Sequence, residues 1–208
     1  MSADFGEALR RGAAALGLEI PAAAQRDMLR YLELLQKWNK VYNLTAIRSP
    51  EQMLTHHLLD SLSVVPHLWA GRWLDVGCGA GLPGLVIAMA KPECQVVLLD
   101  SNSKKTSFVQ QAIIELKLQN AQVFCARAEE WGQGETFDGI ISRAFAEMAD
   151  FVSATRHLLA NGGRWVAMKG HVERELKALP ADIRIDQTIA LQVPGLQGMR
   201  SLVILSQH

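Results

Sequence analysis

Along the first seventy residues the apolar positions recur at helical spacing, and the polar ones fall between them. Residues 3 to 16 predict a short alanine-rich helix closed near Gly17. Pro21 suits the first turn of a second helix of about five turns, in which Met28, Leu29, Leu32, Leu35 and Trp38 share one face and Lys37 and Lys40 lie toward the negative end. Tyr42 to Thr45 breaks the period and reads as loop. Ser49 then predicts a cap, with Pro50 at the first helical position and Gln52 placed to reciprocate the cap. The apolar face of this third helix takes Met53, Leu54, Leu58 and, less obviously, His57. These stripes are read as core packing.

From Arg72 onward the pattern changes to short apolar runs separated by helical stretches. Strands are predicted at Trp73 to Val76, Gln95 to Asp100, Gln122 to Cys125, Phe137 to Ser142 and Arg164 to Met168. Ser103 is read as the cap of the helix carrying Phe108, Ala112, Ile113 and Leu116. Further helices are expected near Glu147 to Leu159 and Val172 to Leu179, with a turn at Asn161-Gly162-Gly163. Five such strands linked by helices imply a parallel sheet covered on both faces. Two last strands, Ile183 to Leu191 and Ser201 to Leu205, have no helix between them and should pair as an antiparallel hairpin. The expected organisation is α/β: a helical extension over residues 1–70 packed on a domain over 71–208.

One stretch organises that domain. The strand at Trp73 to Val76 runs into glycines at 77, 79, 81 and 84, and a helical pattern follows, as in a nucleotide-binding βα unit. Asp100, closing the second strand, stands where such folds place the acid for a ribose diol. Gly79-x-Gly81-x-x-Gly84 satisfies a dinucleotide pattern, and Gly77-x-Gly79-x-Gly81 after Asp75 satisfies that of S-adenosylmethionine enzymes. The second has the better register, because the turn should begin where the apolar run ends. It also gives Asp75 a role, since a carboxylate here can hold the cationic amino end of a methionine moiety, directly or through water, and would repel a pyrophosphate.

Composition adds little, but charge position adds much. The 208 residues carry 21 Lys plus Arg and 21 Asp plus Glu, so the net charge is zero and bulk composition does not announce a nucleic-acid binder. Ligands of an open parallel sheet bind beyond the strands' carboxyl ends, and there the chain places Lys104 and Lys105, Arg127 with Ala128 and Glu129, Arg143, and Lys169, with Arg200 at the start of the antiparallel strand. Helix starts ordinarily favour acids over lysines, so this crescent of cations fits a polyanionic substrate. Glu129 is placed to read an adenine edge. Trp131 and Phe145 could stack a base, although core packing explains either equally well. Cys78, Cys94 and Cys125 have no metal-ligand spacing and fit reduced thiols in a cytosolic protein, with Cys125 expected in the core. No apolar run is long enough to cross a bilayer. The histidines show no metal spacing and default to structural or surface roles. A nicotinamide-dependent oxidoreductase, a small-molecule methyltransferase and a silent RNA scaffold stay open at this level.

Asn43-Leu44-Thr45, His57-Leu58-Leu59-Asp60-Ser61, Asp75 to Gly84, Leu99-Asp100-Ser101 with Lys104-Lys105, Ser142-Arg143-Ala144-Phe145-Ala146, Met168-Lys169-Gly170 and Leu191 to Pro194 with Arg200 together resemble the bacterial small-subunit ribosomal RNA methyltransferase G family, also known as glucose-inhibited division protein B. The likeness runs from about residue 25 to 205. It implies a class I S-adenosylmethionine-dependent methyltransferase fold, Rossmann-like, with a mostly parallel seven-stranded sheet and an antiparallel C-terminal strand. The implied reaction is methylation at N7 of one guanosine, position 527, in the 530 loop of 16S rRNA. Carried over by position, the cofactor residues would be Asp75, Gly77, Cys78, Gly79, Gly81, Asp100, Ala128, Glu129 and Arg143. Arg143 and Lys169 would lie closest to the base, and Lys104, Lys105, Arg127 and Arg200 would serve RNA phosphates. Asn43, His57, Asp60 and Ser61 resemble the family's N-terminal cap over the site. Cys78 stands where relatives often carry threonine. No metal is implied; the expected form is a cytoplasmic monomer acting on the small subunit or an assembly intermediate. Guanine N7 has an in-plane lone pair, so no general base is required, and neither an Asn/Asp-Pro-Pro-aromatic motif nor a cysteine in the later carboxyl-end loops points elsewhere.

Overall fold

The computed structural model describes residues 3 to 143, 145 and 147 to 208. Ala144 and Ala146 of the arginine motif, and Met1 and Ser2 of the expected extension, lie outside the described residues. Helix α1 (Ala3–Ala15) and helix α2 (Ala22–Tyr42) come first. Met28, Tyr31, Leu32 and Leu35 form the buried face of α2, and Asn43, in the left-handed conformation at φ 50°, closes it by donating its N–H to the Asn39 carbonyl.

A composite helix follows. It runs from α3 (Pro50–Met53) through a π-helical stretch, Leu54–Leu59, into α4 (Asp60–Leu62). Ser49 caps α3 as expected, accepting from the Gln52 N–H at 3.4 Å; the reciprocal acceptor for its hydroxyl is the carboxylate of Glu51 rather than Gln52. A π-helical turn carries an extra residue and widens the inward-facing arc. His57, Asp60 and Ser61 therefore join Leu58 and Leu62 among the buried residues.

The sheet consists of β1 (Gly71–Val76), β2 (Cys94–Asp100), β3 (Ala121–Cys125), β4 (Phe137–Ser142), β5 (Leu159–Lys169), β6 (Ile183–Ala190) and β7 (Ser201–Gln207), in the order β3-β2-β1-β4-β5-β7-β6. Strands β1 to β5 pair in parallel; β7 is antiparallel to both β5 and β6. The last two strands thus form the expected hairpin, with β7 inserted beside β5. Strand order reverses between β1 and β4, which opens a crevice at their carboxyl ends. Helix α5 (Gly84–Ala90), α6 (Ser103–Leu116), α7 (Met148–Thr155) and α8 (Glu173–Leu176) fill the connections. One hydrophobic cluster joins α1 and α2 to α5, α6 and one sheet face; a second lies under α7 on the other face.

Four sequence expectations are corrected. Asn102, not Ser103, caps α6: its side-chain oxygen accepts from the N–H groups of Lys104 and Lys105, a geometry Asn at a cap favours as well as Ser does. The segment Asn161-Gly162-Gly163 is no free turn but the bulged start of β5, where the register shifts between the pairs Phe137 with Leu159 and Gly139 with Arg164. The stretch near 147–159 is helical as expected, α7 running on into a 3-10 turn at Arg156–Leu158, whereas that near 172–179 is shorter, at four residues. Cys125 is exposed rather than in the core, because β3 is an edge strand.

Candidate cofactor and substrate site

The turn after β1 is built from glycines in left-handed conformations, with φ of 70° at Gly77, 58° at Gly79 and 87° at Gly81. A side chain there would be strained. At Gly79 an added Cβ would meet nothing within 4 Å, so bare backbone faces open space. Gly84 differs: a Cβ would stand 2.7 Å from both the Asp75 carboxylate and Leu98. Its N–H instead donates to Asp75 Oδ2 at 2.7 Å. The start of α5, which a dinucleotide's pyrophosphate would need, is thereby taken by a carboxylate.

Asp75 is fully buried and its Oδ1 has no hydrogen-bond partner. Burial pushes its pKa up to about 7, against the pull of the Gly84 N–H and the Arg143 charge. Asp100 accepts from the Gly79 N–H at 2.9 Å and the Asn102 N–H at 2.8 Å, so the end of β2 grips the glycine turn. Lys105 Nζ lies 3.9 Å from Asp100 Oδ2. Cys78 is buried and its pKa is raised well above the ordinary thiol value by burial, which keeps it a neutral thiol.

Three cavities meet around this turn. The largest, about 410 Å³, lies over the ends of β1, β2 and β3 and is lined by Gly77, Asp100, Lys105, Arg127, Ala128, Glu129 and Phe145, among others. A small one of about 150 Å³ sits inside the turn, against Gly77, Cys78, Gly79, Thr45, His57 and Arg143. The third, about 350 Å³, spreads between the composite helix and the ends of β4, β5 and β7, against His57, Asp60, Arg143, Lys169 and Arg200. Gly77 lines the first and second; His57 and Arg143 line the second and third. The result is a row of three adjoining chambers that share walls.

Fixed contacts hold the walls of the third chamber. Ser142 Oγ donates to the Val76 carbonyl at 2.8 Å and ties the ends of β4 and β1 together. Arg143 Nη1 donates to the His56 carbonyl at 3.3 Å and to Asp60 Oδ2 at 3.2 Å. Arg200 Nε donates to Asp60 Oδ1 at 3.3 Å. Lys169 Nζ donates to the Phe145 carbonyl at 2.8 Å and pairs with Glu175 Oε2 at 2.7 Å, while that same oxygen accepts from the Met148 N–H at the start of α7. His57 Nε2 shares a 3.1 Å hydrogen bond with Thr45 Oγ1, and its Nδ1 is buried without a partner. Burial, reinforced by Arg143, lowers its pKa to about 4, so the ring is neutral at physiological pH.

Most of the residues singled out from sequence thus converge, with distinct placements. Gly77, Cys78, Gly79, Asp100, Ala128, Glu129 and Arg143 line the first two chambers, whereas Asp75 and Gly81 shape the turn beneath them. Lys105 and Arg127 line the largest chamber, Lys169 and Arg200 the third, and Lys104 is exposed on the first turn of α6. Trp131 packs on Phe124 and Phe137, and Phe145 packs on Phe151 at the chamber wall. His57, given a structural or surface role by histidine spacing and a place in the cap over the site by the family resemblance, lines the second and third chambers. The available signal was a set of polar residues, His57, Asp60 and Ser61, on the buried face of an amphipathic helix. Among the described residues no group of three or more His, Cys, Asp or Glu is placed to hold a metal ion. No helix among them is long and apolar enough to cross a membrane.

Comparison with known proteins places this geometry. A family model described as rRNA small subunit methyltransferase G matches residues 24–203. Curated relatives carrying the name Ribosomal RNA small subunit methyltransferase G include one from Pseudomonas aeruginosa (strain LESB58), 53% identical over 199 residues, covering 95% of this chain and 93% of the relative. Another, from Neisseria meningitidis serogroup A, is 51% identical over 204 residues, covering 97% and 98%. Among solved structures, a SAM-dependent methyltransferase from Aquifex aeolicus aligns with a TM-score of 0.58 at 16% identity over 85% of this chain and 97% of that one. Aeropyrum pernix fibrillarin, solved with natively bound S-adenosyl-L-methionine, aligns with a TM-score of 0.54 at 15% identity over 66% of each chain. The fold is that of the class I methyltransferases.

Proposed function

Because the chain belongs to the rRNA small subunit methyltransferase G family, we propose that it methylates N7 of a single guanosine, position 527, in the 530 loop of 16S rRNA, with S-adenosylmethionine as donor. The observation that carries this reading is the row of adjoining chambers, in which His57 and Arg143 form a wall common to the glycine turn and the cation-lined third chamber. The residues fit the donor: open backbone at Gly79, a carboxylate at the end of β2, and an orphaned buried oxygen on Asp75 beneath the turn.

When bound, S-adenosylmethionine supplies an electrophilic methyl on a cationic sulfur, and the guanine N7 lone pair is the nucleophile that takes it. In this reading Asp100 and Glu129 hold the adenosine end, and Gly77, Cys78 and Gly79 hold the methionine end, with Asp75 acting through the turn. The third chamber takes the base. Arg143 lies nearest to both and orients guanine O6 by hydrogen bonding; Lys169 acts beside it, by way of the Phe145 carbonyl that it holds. His57 contributes as a neutral wall that adds no charge next to a cationic donor. Catalysis then rests on placing N7 in line with the donor at near-attack distance, with no proton to remove. Lys104, Lys105, Arg127 and Arg200 serve the phosphates. A chain of zero net charge with a local basic crescent binds free RNA weakly at physiological salt, so the preferred substrate is a structured small subunit or assembly intermediate.

The test is transfer of labelled methyl to small subunits lacking the modification, with the product mapped by cleavage at N7-methylguanosine. One stoichiometric mark in the 530 loop is expected. Transfer to another nucleotide, or faster transfer to naked rRNA than to subunits, overturns the corresponding part of the reading.

A further inference from the structure

The third chamber gathers three cationic side chains, and its lone carboxylate among the lining residues is Asp60. The Asp60 side chain is 5% exposed, and each of its oxygens is committed to a different partner: Oδ2 to Arg143 at 3.2 Å and Oδ1 to Arg200 at 3.3 Å. The two guanidiniums arrive from distant parts of the chain, after β4 and before β7. Neither is deeply buried, at 29% and 33% exposure, so each keeps a face toward the chamber. Asp60 itself belongs to a third region, the composite helix, and is turned inward where the π-helical stretch ends.

We propose that Asp60 is a positioning residue that clamps Arg143 and Arg200 in their working orientation. The inference rests on the methyl-transfer reading above. Without the carboxylate, two like charges in one partly desolvated chamber repel, and their side chains regain rotamer freedom. An arginine that orients a base loses its value with a shift of about 1 Å. The carboxylate has a second electrostatic consequence. Methylation at N7 forms an N–C bond while the C–S bond breaks with its electron pair passing to sulfur, so positive charge appears on the base. Lys169 is already paired with Glu175, so the unbalanced charge facing the base without Asp60 would be that of the two guanidiniums, and Asp60 offsets it. Its effect should therefore fall on the chemical step more than on RNA capture.

The experiment compares wild type, D60N, D60A, R200A and D60A/R200A, using S-adenosylmethionine and unmodified small subunits. Asn keeps the volume and one acceptor but removes the charge. D60N is expected to lower kcat about 10- to 100-fold, with KM for subunits changed less than about threefold and cofactor affinity, read by tryptophan fluorescence, falling much less than kcat, since Asp60 lines neither chamber assigned to the cofactor and reaches them only through Arg143. Melting temperatures of the cofactor-free proteins supply a readout independent of turnover: D60A lowers Tm in the wild-type background and by less in R200A, because one of the two guanidiniums it leaves uncompensated, and the repulsion between them, is then gone. A D60N kcat within about twofold of wild type, an equal fall in kcat and cofactor affinity, or additive Tm losses overturns the proposal. Wild type that methylates no subunit overturns the functional reading instead, and the Tm coupling still decides the clamp.

Discussion

Two buried groups beside the glycine turn have pKa values displaced in opposite directions, and the pH dependence of stability follows from their signs. Asp75 titrates near 7 in the folded protein, against 3.8 for an unperturbed aspartate. Between those values the folded state holds a proton that the unfolded state has lost, so this group makes stability fall as pH rises. His57 titrates near 4 when folded, against 6.5 for an unperturbed histidine. In that window the unfolded state holds the extra proton, and stability rises with pH. From about pH 4 to 6.5 the two slopes, each about 1.4 kcal/mol per pH unit, oppose one another. Relative to wild type, H57Q should therefore lose stability progressively across this range as pH rises, and D75N should gain it. Urea melts of the cofactor-free protein at pH 4.5, 5.5 and 6.5 check both; parallel curves for all three proteins would refute the assignment. Gly84 provides a separate test of close packing. In G84A the new methyl meets Asp75 and Leu98 at 2.7 Å, and a loss of about 1–3 kcal/mol is expected. G79A, whose Cβ would meet nothing within 4 Å, should cost only about 1 kcal/mol of backbone strain while weakening cofactor binding.

At the scale of elements, the decisive contact is that between α2 and the glycine turn. Tyr31 is fully buried, its ionisation is pushed far up by that burial, and its hydroxyl donates to the Ala80 carbonyl at 2.7 Å. Y31F keeps the packing but leaves a buried carbonyl unpaired, at a cost of about 1–3 kcal/mol. Because that carbonyl belongs to the turn, cofactor affinity should weaken as well; calorimetric titration would show whether it does. This contact also marks the limit of what the chain discloses in advance. The periodicity of Met28, Leu32 and Leu35 made the helix legible, but nothing in it distinguished Tyr31, one position along the same stripe, as the residue that reaches the turn. The β1 glycine turn, the strand-end cations and the β6–β7 hairpin were equally legible, because turn chemistry and strand alternation are local. Cys125 was misjudged because burial of a strand depends on whether it lies at the sheet's edge, which is set by strand order. Asn102 displaced Ser103 as cap because two adjacent good caps compete and the backbone decides. The partnership of Asp60 with Arg143 and Arg200 joins residues 83 and 140 positions apart, a separation that no local pattern encodes.

On the scale of the whole molecule, 21 basic and 21 acidic residues cancel, yet the site's cations are paired in part and open in part. Arg143 and Arg200 share Asp60, and Lys169 shares Glu175. Lys104 and Arg127 are exposed and make no ion pair among the described residues. Counterion release depends on charges that meet phosphates in place of water and salt, whereas a guanidinium already held by a carboxylate exchanges one anion for another. The logarithm of kcat/KM should accordingly fall with the logarithm of salt concentration, and the open cations should set the slope. K104A and R127A are each expected to reduce that slope by roughly 0.7 to 0.9 while lowering kcat/KM at low salt. R143A should act differently, depressing kcat at saturating substrate with the slope nearly intact, since its work is done on the base inside the chamber. Rates measured on small subunits at four salt concentrations separate the two classes. Equal slopes for K104A, R127A and wild type would mean that these two side chains do not meet phosphate, and the crescent's role in RNA capture would have to be reassigned to Lys105 and Arg200.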